Sequence, residues 1–598
     1  MDYTVADYII DRLKLQGVDT LFGVPSVYCA RVYAAASRAS QFKTIVTSSD
    51  LEAGYAADGY ARVRGLSVVA VSYGPGTLSL VNAVAGAYVE RSPIVVINGG
   101  PSAGSIKTQT DTGVVFSHSI GKPHTDLDVF SMVTAFHERV EDAALACSKF
   151  DEAVRDAMIR KRPVYIEIPQ GMLGSKCTPP AGKLNPPVPA GSAAKVAERI
   201  LKAVSQAKSP FLIVGVEVQR YDLAADVLAI IDKLKIRWAT TLLERTVLDE
   251  NHGLFQGVFN GDKAPDPLKT KISNADLVIS LGAVYGSGHA SIIVPQIEAK
   301  HVIRVWDGAA HISGGAAMPV GFPSLIAELK KHAVADIGRP KEETNAPFPI
   351  GDESAWDGDR DDVFIAPADV TPGTTVAPTI ATISYKQLFD EIERSVTSDP
   401  DLMLIADTFL GIYPAARIKM AGRNTFMAGA IWASIGHSVG AGVGIAAAKA
   451  KRPVVVCGDG GFQMVAQSLS TMARYKLNTI TLVVDNTLYG YEQYLLNKSF
   501  YTSGSGNPLP YAVLNDWDYT AVAKGMGILA AYKASTPAEL TAAVSAAKGQ
   551  NGPVFIQVSV GARSLPPDLL RDESSAQVSG LRPSSPQHQV AIGSVESG

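Results

Sequence analysis

Short, uninterrupted apolar runs alternate with segments of helical period along most of the 598-residue chain. The runs include Val68–Tyr73, Ile94–Ile97, Pro163–Ile168, Phe211–Val214, Leu277–Leu281, His301–Val305, Leu402–Ile405, Val454–Val456, Ile480–Val484 and Val554–Val558. They are rich in Val and Ile and do not alternate with polar residues. Such strands are buried on both faces, as in parallel sheets covered by helices. The expected fold class is therefore α/β: three consecutive domains, each with a central, mostly parallel sheet flanked by helices.

Two stretches break the pattern. Cys177–Ala190 is rich in Pro, and Ile337–Thr379 is acidic and rich in Pro, Gly and Thr. Both read as connections. The expected domains are residues 1–180, 191–336 and 380–564, with a linker over 337–379 and a loosely held tail over 565–598. The first and third blocks are similar in size, which makes them candidates for a duplication.

Composition narrows the function. Hydrophobic residues make up 46% of the chain and charged residues 19%, enough apolar content for several cores. The net charge of −4 argues against a dedicated binder of nucleic acid. Four cysteines at 29, 147, 177 and 457 form no CxxC pair. That excludes a zinc ribbon and a dense disulfide scaffold, and fits a reducing compartment. No run of about 18 apolar residues is present, so no membrane span is expected. The amino terminus has no apolar signal core. The expected location is the cytoplasm.

The strongest local signal is Val454-Val455-Val456-Cys457-Gly458-Asp459-Gly460-Gly461, a buried strand running into glycines and then a helical pattern with Val465, Leu469 and Met472 on one face. Glycines let the backbone turn sharply and approach a ligand closely. A helix start suits a phosphate, and Asp459 adds a hard oxygen donor of the kind magnesium prefers. The next strand, Ile480–Val484, leads into Asp485-Asn486-Thr487-Leu488. A strand-helix-strand unit brings Asp459 and Asn486 to the carboxyl edge of neighbouring parallel strands, where open α/β sheets bind ligands. The Asn486 side chain and a carbonyl near Leu488 would complete a magnesium shell with Asp459. The bland alternative is two ordinary strand-to-helix turns.

Gly458-Asp459-Gly460 followed by Asp485-Asn486 resembles the thiamin-diphosphate motif. The likeness extends over nearly the whole chain to the pyruvate and indolepyruvate decarboxylases, in the broader group that includes acetolactate synthase. It is carried by Tyr3–Tyr8, Glu52–Arg62, Gly86–Glu90, Gly121-Lys122, Arg162–Pro169 and Asn515–Tyr519. The resemblance implies a pyrimidine-binding first domain, a middle domain without cofactor chemistry and no flavin, and a third domain that binds the diphosphate and Mg2+. It also implies active sites shared between two subunits, in a dimer or a dimer of dimers.

The same resemblance assigns roles. Glu52 would sit beside the aminopyrimidine and help to activate thiamin diphosphate. Ile435 would be the apolar wedge under the cofactor. Met427, Ala428–Ala430 and Ala433 would lie near the pyrimidine, with Ser72 near the site. Asp407 and Thr408 would lie near the diphosphate, which Gly458, Gly460, Gly461, Tyr489 and Gly490 flank. Glu492 matches a substrate-side glutamate in one register; in another, Tyr494 takes that place. Val27, Tyr28, Ser117, His118 and Tyr491 would line the substrate pocket.

Two departures from the family bear on the reaction. Val27 stands where the decarboxylases have an aspartate, and Ser117 where they have the first of two histidines; His118, the second, is present. Fewer acids would slow protonation of the enamine left by decarboxylation. The expected reaction is decarboxylation of a 2-keto acid, branched or aromatic. It ends in an aldehyde, or in an acyloin formed with an aldehyde or a second keto acid. The alternatives are a non-decarboxylating lyase or hydrolase on a diketone or hydroxyketone, and an inert assembly protein.

Overall fold

The Val- and Ile-rich runs become central strands of three sheets in the computed structural model, which describes residues 2–187, 189–312, 314–334, 383–502 and 506–570. The first sheet contains β1 (Thr20–Gly23), β2 (Lys43–Val46), β3 (Ser67–Ser72), β4 (Ile94–Gly100), β5 (Phe136–Arg139) and β6 (Val164–Pro169). Their order is β2-β1-β3-β4-β6-β5, and every pair is parallel. The second contains β7 (Pro210–Val214), β8 (Arg237–Thr240), β9 (Phe255–Val258), β10 (Leu277–Leu281), β11 (Val302–Trp306), β12 (Ala309–Ile312) and β13 (Met318–Pro319). It is mixed, because β12 runs antiparallel to both β11 and β13. The third contains β14 (Leu402–Ala406), β15 (Phe426–Ala428), β16 (Arg452–Gly458), β17 (Ile480–Asp485), β18 (Ala531–Ala534) and β19 (Val554–Ser559), all parallel.

The third sheet runs β15-β14-β16-β17-β19-β18, which is the strand order of the first sheet repeated rank for rank. Shared topology supports a duplication. The helix that follows the second strand of each sheet, Asp50–Arg64 in one and His437–Ala448 in the other, packs against its counterpart. Glycines allow this closeness: a Cβ on Gly444 would overlap the Ala56 carbonyl, and one on Gly59 would overlap that of Ala441. One apolar core runs through this seam, joining Ala56, Tyr60, Val443 and Val455.

The middle domain braces both neighbours. Arg220 donates to the Arg91 carbonyl at 2.6 Å, Tyr221 to the Ile159 carbonyl at 2.6 Å, and the Asn424 amide to the Thr246 carbonyl at 2.8 Å.

Two expectations change, and two others fall on residues the structure does not describe. The region over 337–379 lies outside the described residues, as does the tail beyond residue 570. The start of that tail is not loose: Leu565 and Leu569 are buried in the core and Asp568 pairs with Arg417 at 2.6 Å. The helix after the glycine motif breaks into Asp459–Gln463 and Ser468–Arg474, yet Val465, Leu469 and Met472 still share one buried side.

Candidate active site

The candidate residues form separate groups at the carboxyl rims of the first and third sheets. At the first sheet, the loops after β1 and β3 meet the segment carrying His118. Ser72 Oγ lies 3.2 Å from His118 Nδ1, the Tyr28 and His118 rings are 5.5 Å apart, and the Tyr28 hydroxyl donates to the Ser117 carbonyl at 3.0 Å. Gly74, with φ +73°, is required here, because a side chain would strike the His118 carbonyl. Asp126 holds the turn by accepting from the Gly74 amide at 2.8 Å. Val27, on the neighbouring loop, is 61% exposed.

Glu52 begins the helix Asp50–Arg64, whose Ser49 cap accepts the Glu52 amide. The carboxyl is fully buried. Its Oε2 accepts from the Ser48 amide at 2.8 Å, while Oε1 has no partner. Burial pushes the group up to about 7, and the hydroxyls of Thr471 and Ser468 pull only partly against it. These two hydroxyls come from the third domain of the same chain, so the seam itself encloses Glu52.

The third sheet supplies the hard donors. Asp459 ends β16 and Asn486 follows β17. Asp459 Oδ2 accepts from the Asn486 and Thr487 amides at 3.0 and 2.6 Å, and Oδ1 from Gly460 at 2.9 Å. Asn486 Oδ1 accepts from the Leu488 amide at 3.1 Å. Burial, and then the neighbouring Asp485, push Asp459 well above the usual carboxylate range. Two buried carboxyls side by side, of which Asp485 Oδ1 has no partner, suit a divalent cation. Asp459, the Asn486 side chain and the Leu488 carbonyl could hold it.

The glycines act differently from the turn expected of them. Gly458, Gly460 and Gly461 all lack positive φ. They give room: a Cβ on Gly460 would meet the Tyr489 ring, and one on Gly461 would lie 3.1 Å from the Gly436 amide. Gly490 likewise packs close to the Asn486 side chain.

Asp407 organises the segment that carries Ile435. It accepts from the Thr408 amide at 2.6 Å, the Gly436 amide at 3.1 Å, and the Ser438 hydroxyl at 2.5 Å. The Thr408 hydroxyl reaches the Gly429 carbonyl at 3.5 Å. Ile435 is half-buried against Gly461. Ala433 is exposed at φ +56°, and His118 and Thr487 also have positive φ. Non-glycine residues held in this region gather at functional sites.

Several residues that fix this segment carry no sequence motif of their own. Ser434 meets the Tyr55 hydroxyl at 2.7 Å and the Asn82 amide at 3.0 Å. Glu90 accepts from the Ile431 and Trp432 amides at 2.8 and 3.1 Å while paired with Arg62 at 2.5 Å. Asp58 pairs with Arg62 and His437. Asp58 and Glu90 fall in the stretches that carry the resemblance; their link to residues 431–437 is visible only in three dimensions.

Glu492 is exposed in the first turn of the helix Gly490–Leu496, whereas Tyr494 is buried beside Tyr501. Tyr491 stacks on Tyr413, their hydroxyls 3.1 Å apart. Of the two register choices, the accessible side chain is Glu492. Among the described residues no hydrogen bond or ring contact joins the His118 group to Glu492.

Comparison with known proteins adds three matches in chain order: the thiamine pyrophosphate enzyme N-terminal TPP-binding domain over residues 3–124, the central domain over 197–318, and the C-terminal TPP-binding domain over 411–558. The chain is 28% identical over 551 residues to an indole-3-pyruvate decarboxylase of Azospirillum brasilense, covering 92% of this chain and 93% of the relative. It is 26% identical over 508 residues to a pyruvate decarboxylase of Hanseniaspora uvarum, covering 82% and 84%. It is also 26% identical over 577 residues to an alpha-keto-acid decarboxylase of Mycolicibacterium paratuberculosis, covering 94% and 95%.

Proposed function

Because the chain belongs to the thiamine pyrophosphate enzyme family, we propose that it decarboxylates a 2-keto acid with a branched or aromatic side chain, using thiamin diphosphate and Mg2+. The observation that carries this reading is Glu52: a fully buried carboxyl that burial pushes up to about 7, with one oxygen lacking a partner.

When bound, the cofactor supplies the carbon nucleophile and the electron sink that loss of carbon dioxide requires. Glu52 Oε1 is the atom that holds or yields a proton beside the aminopyrimidine. Its raised pKa suits exchange in both directions. Asp459, the Asn486 side chain and the Leu488 carbonyl would hold the cation, which would supply positive charge to neutralise the diphosphate. Ile435, fixed through Gly436 by Asp407, gives the cofactor an apolar seat. Ala433 and Ser72 flank it.

Glu492 and His118 are the groups left to handle protons on the substrate side. Tyr28 holds the backbone of Ser117, and Ser72 contacts the imidazole, so the His118 ring is oriented rather than free. Val27 puts an exposed apolar surface where a carboxylate would deliver protons. With a scarce proton supply, a second carbonyl compound competes for the nascent product carbon. The proposed products are an aldehyde and, with added aldehyde or excess keto acid, a 2-hydroxyketone. Self-association as a dimer or dimer of dimers belongs to the same proposal. Exposed Val114, Val115 and Ile120 on the first domain, and Leu495, Leu496 and Tyr511 on the third, support it.

The test is a mass-spectrometric product screen across keto acids with purified, cofactor-loaded protein, with and without added aldehyde. Carbon dioxide and an aldehyde or hydroxyketone are expected, with phenylpyruvate or indolepyruvate turned over better than pyruvate. No carbon dioxide from any keto acid would leave a diketone or hydroxyketone lyase, or an inert protein, in its place.

A further inference from the structure

The sheet rims opposite the candidate active site meet in a cavity of about 800 Å³ between the first and third domains. Lys43 opens β2 and Arg452 opens β16, and the turns before β14, β16 and β17 add Asp401, Lys449, Lys451 and Lys476. Arg452 and Asp459 stand at opposite ends of β16. The cavity is therefore separate from the groups that would hold the cofactor.

Five cationic side chains and one carboxylate line it, in a chain whose net charge is −4. Gathering one sign of charge in this way is unfavourable until a counter-charge joins it. Lys43 carries the mark of the crowding: partial burial, and then the Lys449 ammonium, lower its pKa. Among the described residues, no carboxylate forms an ion pair with any of the five. Asp19, whose charge also reaches Lys43, is shared with Arg64 at 3.8 Å.

Two of the cations are already fixed in place. The Lys451 amino group donates to the Pro400 carbonyl. The Arg452 guanidinium donates to the carbonyls of Lys548 and Gly552 at 3.3 and 3.5 Å, while its buried Nε has no partner. A side chain held in this way loses little freedom when an anion arrives. Apolar surface lies beside the charges: Ile45 and Leu477 are buried, and Tyr475 is half-buried. The Tyr475 hydroxyl accepts from the Val46 amide at 2.8 Å, a bond that joins the two domains across the cavity.

We propose that this cavity binds a small polyanion carrying two or more linked phosphate groups, one molecule per chain, bridging the first and third domains. Linked phosphates carry enough charge to answer Lys43 from one domain and Lys449, Lys451, Arg452 and Lys476 from the other at the same time. The volume lies in the range of small-ligand pockets, and the apolar surface leaves room for an organic group beside the phosphates.

The test is isothermal titration calorimetry on the full-length, cofactor-loaded protein with Mg2+ in excess, using inorganic pyrophosphate, ADP and orthophosphate. Both diphosphates should bind at one site per chain, at least ~10-fold more tightly than orthophosphate. Tighter binding of ADP would identify the ligand as a nucleoside diphosphate; equal affinities would identify the linked phosphates alone as the recognised group. Raising the salt from about 50 to about 300 mM should weaken binding, because screening reaches these accessible charges. The double variant Lys43→Gln/Lys449→Gln should bind pyrophosphate at least ~10-fold more weakly with an undiminished melting temperature. No saturable heat with either diphosphate, equal affinity for orthophosphate, or unaltered affinity in the double variant would overturn the proposal. Loading with cofactor keeps pyrophosphate from reporting on the far end of β16, and none of these results depends on which keto acid is decarboxylated.

Discussion

Replacing Glu52 by Gln removes the charge at that position and keeps the shape. In the unfolded chain the carboxyl ionises near 4.5; in the folded protein burial moves it up to about 7. Between those values the folded state keeps a proton that the unfolded state has released. Stability from this group is therefore present at low pH, falls as pH rises from 4.5 to 7, and is lost above that window. The difference, 7 − 4.5, at ~1.4 kcal/mol per pH unit, is about 3 kcal/mol. Gln offers a carbonyl oxygen to the Ser48 amide and has no charge to desolvate. Cofactor-free Glu52→Gln protein should thus melt with the unsubstituted protein at about pH 5 and above it by several degrees at about pH 8. Other buried acids titrate in both proteins, so the difference between the two curves isolates Glu52. The assay is thermal unfolding followed by circular dichroism across that range. Parallel curves would refute the assignment of this carboxyl as the strained group. The same variant should lose carbon dioxide release, a gain in stability coupled to a loss of function.

Asp459→Asn puts an NH2 against amides that now donate to Asp459, at a cost of ~1–3 kcal/mol; dialysis should show at least ~10-fold weaker retention of Mg2+ and thiamin diphosphate. Glu492→Gln should lower kcat by ~100-fold or more with an unchanged melting temperature, whereas Tyr494→Phe, inside the core, should leave kcat nearly unchanged. Gly444→Ala drives a methyl group into the Ala56 carbonyl and should destabilise the protein by ~2–3 kcal/mol in denaturant unfolding.

The ten apolar runs all appear as strands, because burial on both faces writes itself as consecutive Val and Ile. Strands outside those runs are mostly edges or short. β2 (Lys-Thr-Ile-Val), β5 (Phe-His-Glu-Arg) and β18 (Ala-Tyr-Lys-Ala) each pair on one side alone and keep a wet face, so their residues are mixed. The Asp459–Asn486 pair was legible from spacing, since a strand-helix-strand unit leaves few ways to place both ends. Glu52 owed its assignment to resemblance; its Ser468 and Thr471 neighbours lie more than 400 positions further along the chain, and no local pattern announces them. The Asp58–His437 and Glu90–Trp432 contacts were invisible for the same reason. The glycine motif was legible as a feature but not in its cause, because crowding by Tyr489 and Gly436, rather than a turn, excludes side chains there.

The seam between the two like halves leaves no slack: backbone touches backbone where Gly59 meets Ala441 and Gly444 meets Ala56. The loops bearing Val27 and Ser117, and the helix start bearing Glu492, stand away from it, in the open. Diversification of this scaffold is therefore channelled. Drift at the crossing is penalised at once, while the outer loops are free to be rewritten, so new chemistry can arise on the margin of an ancestral frame that itself hardly moves.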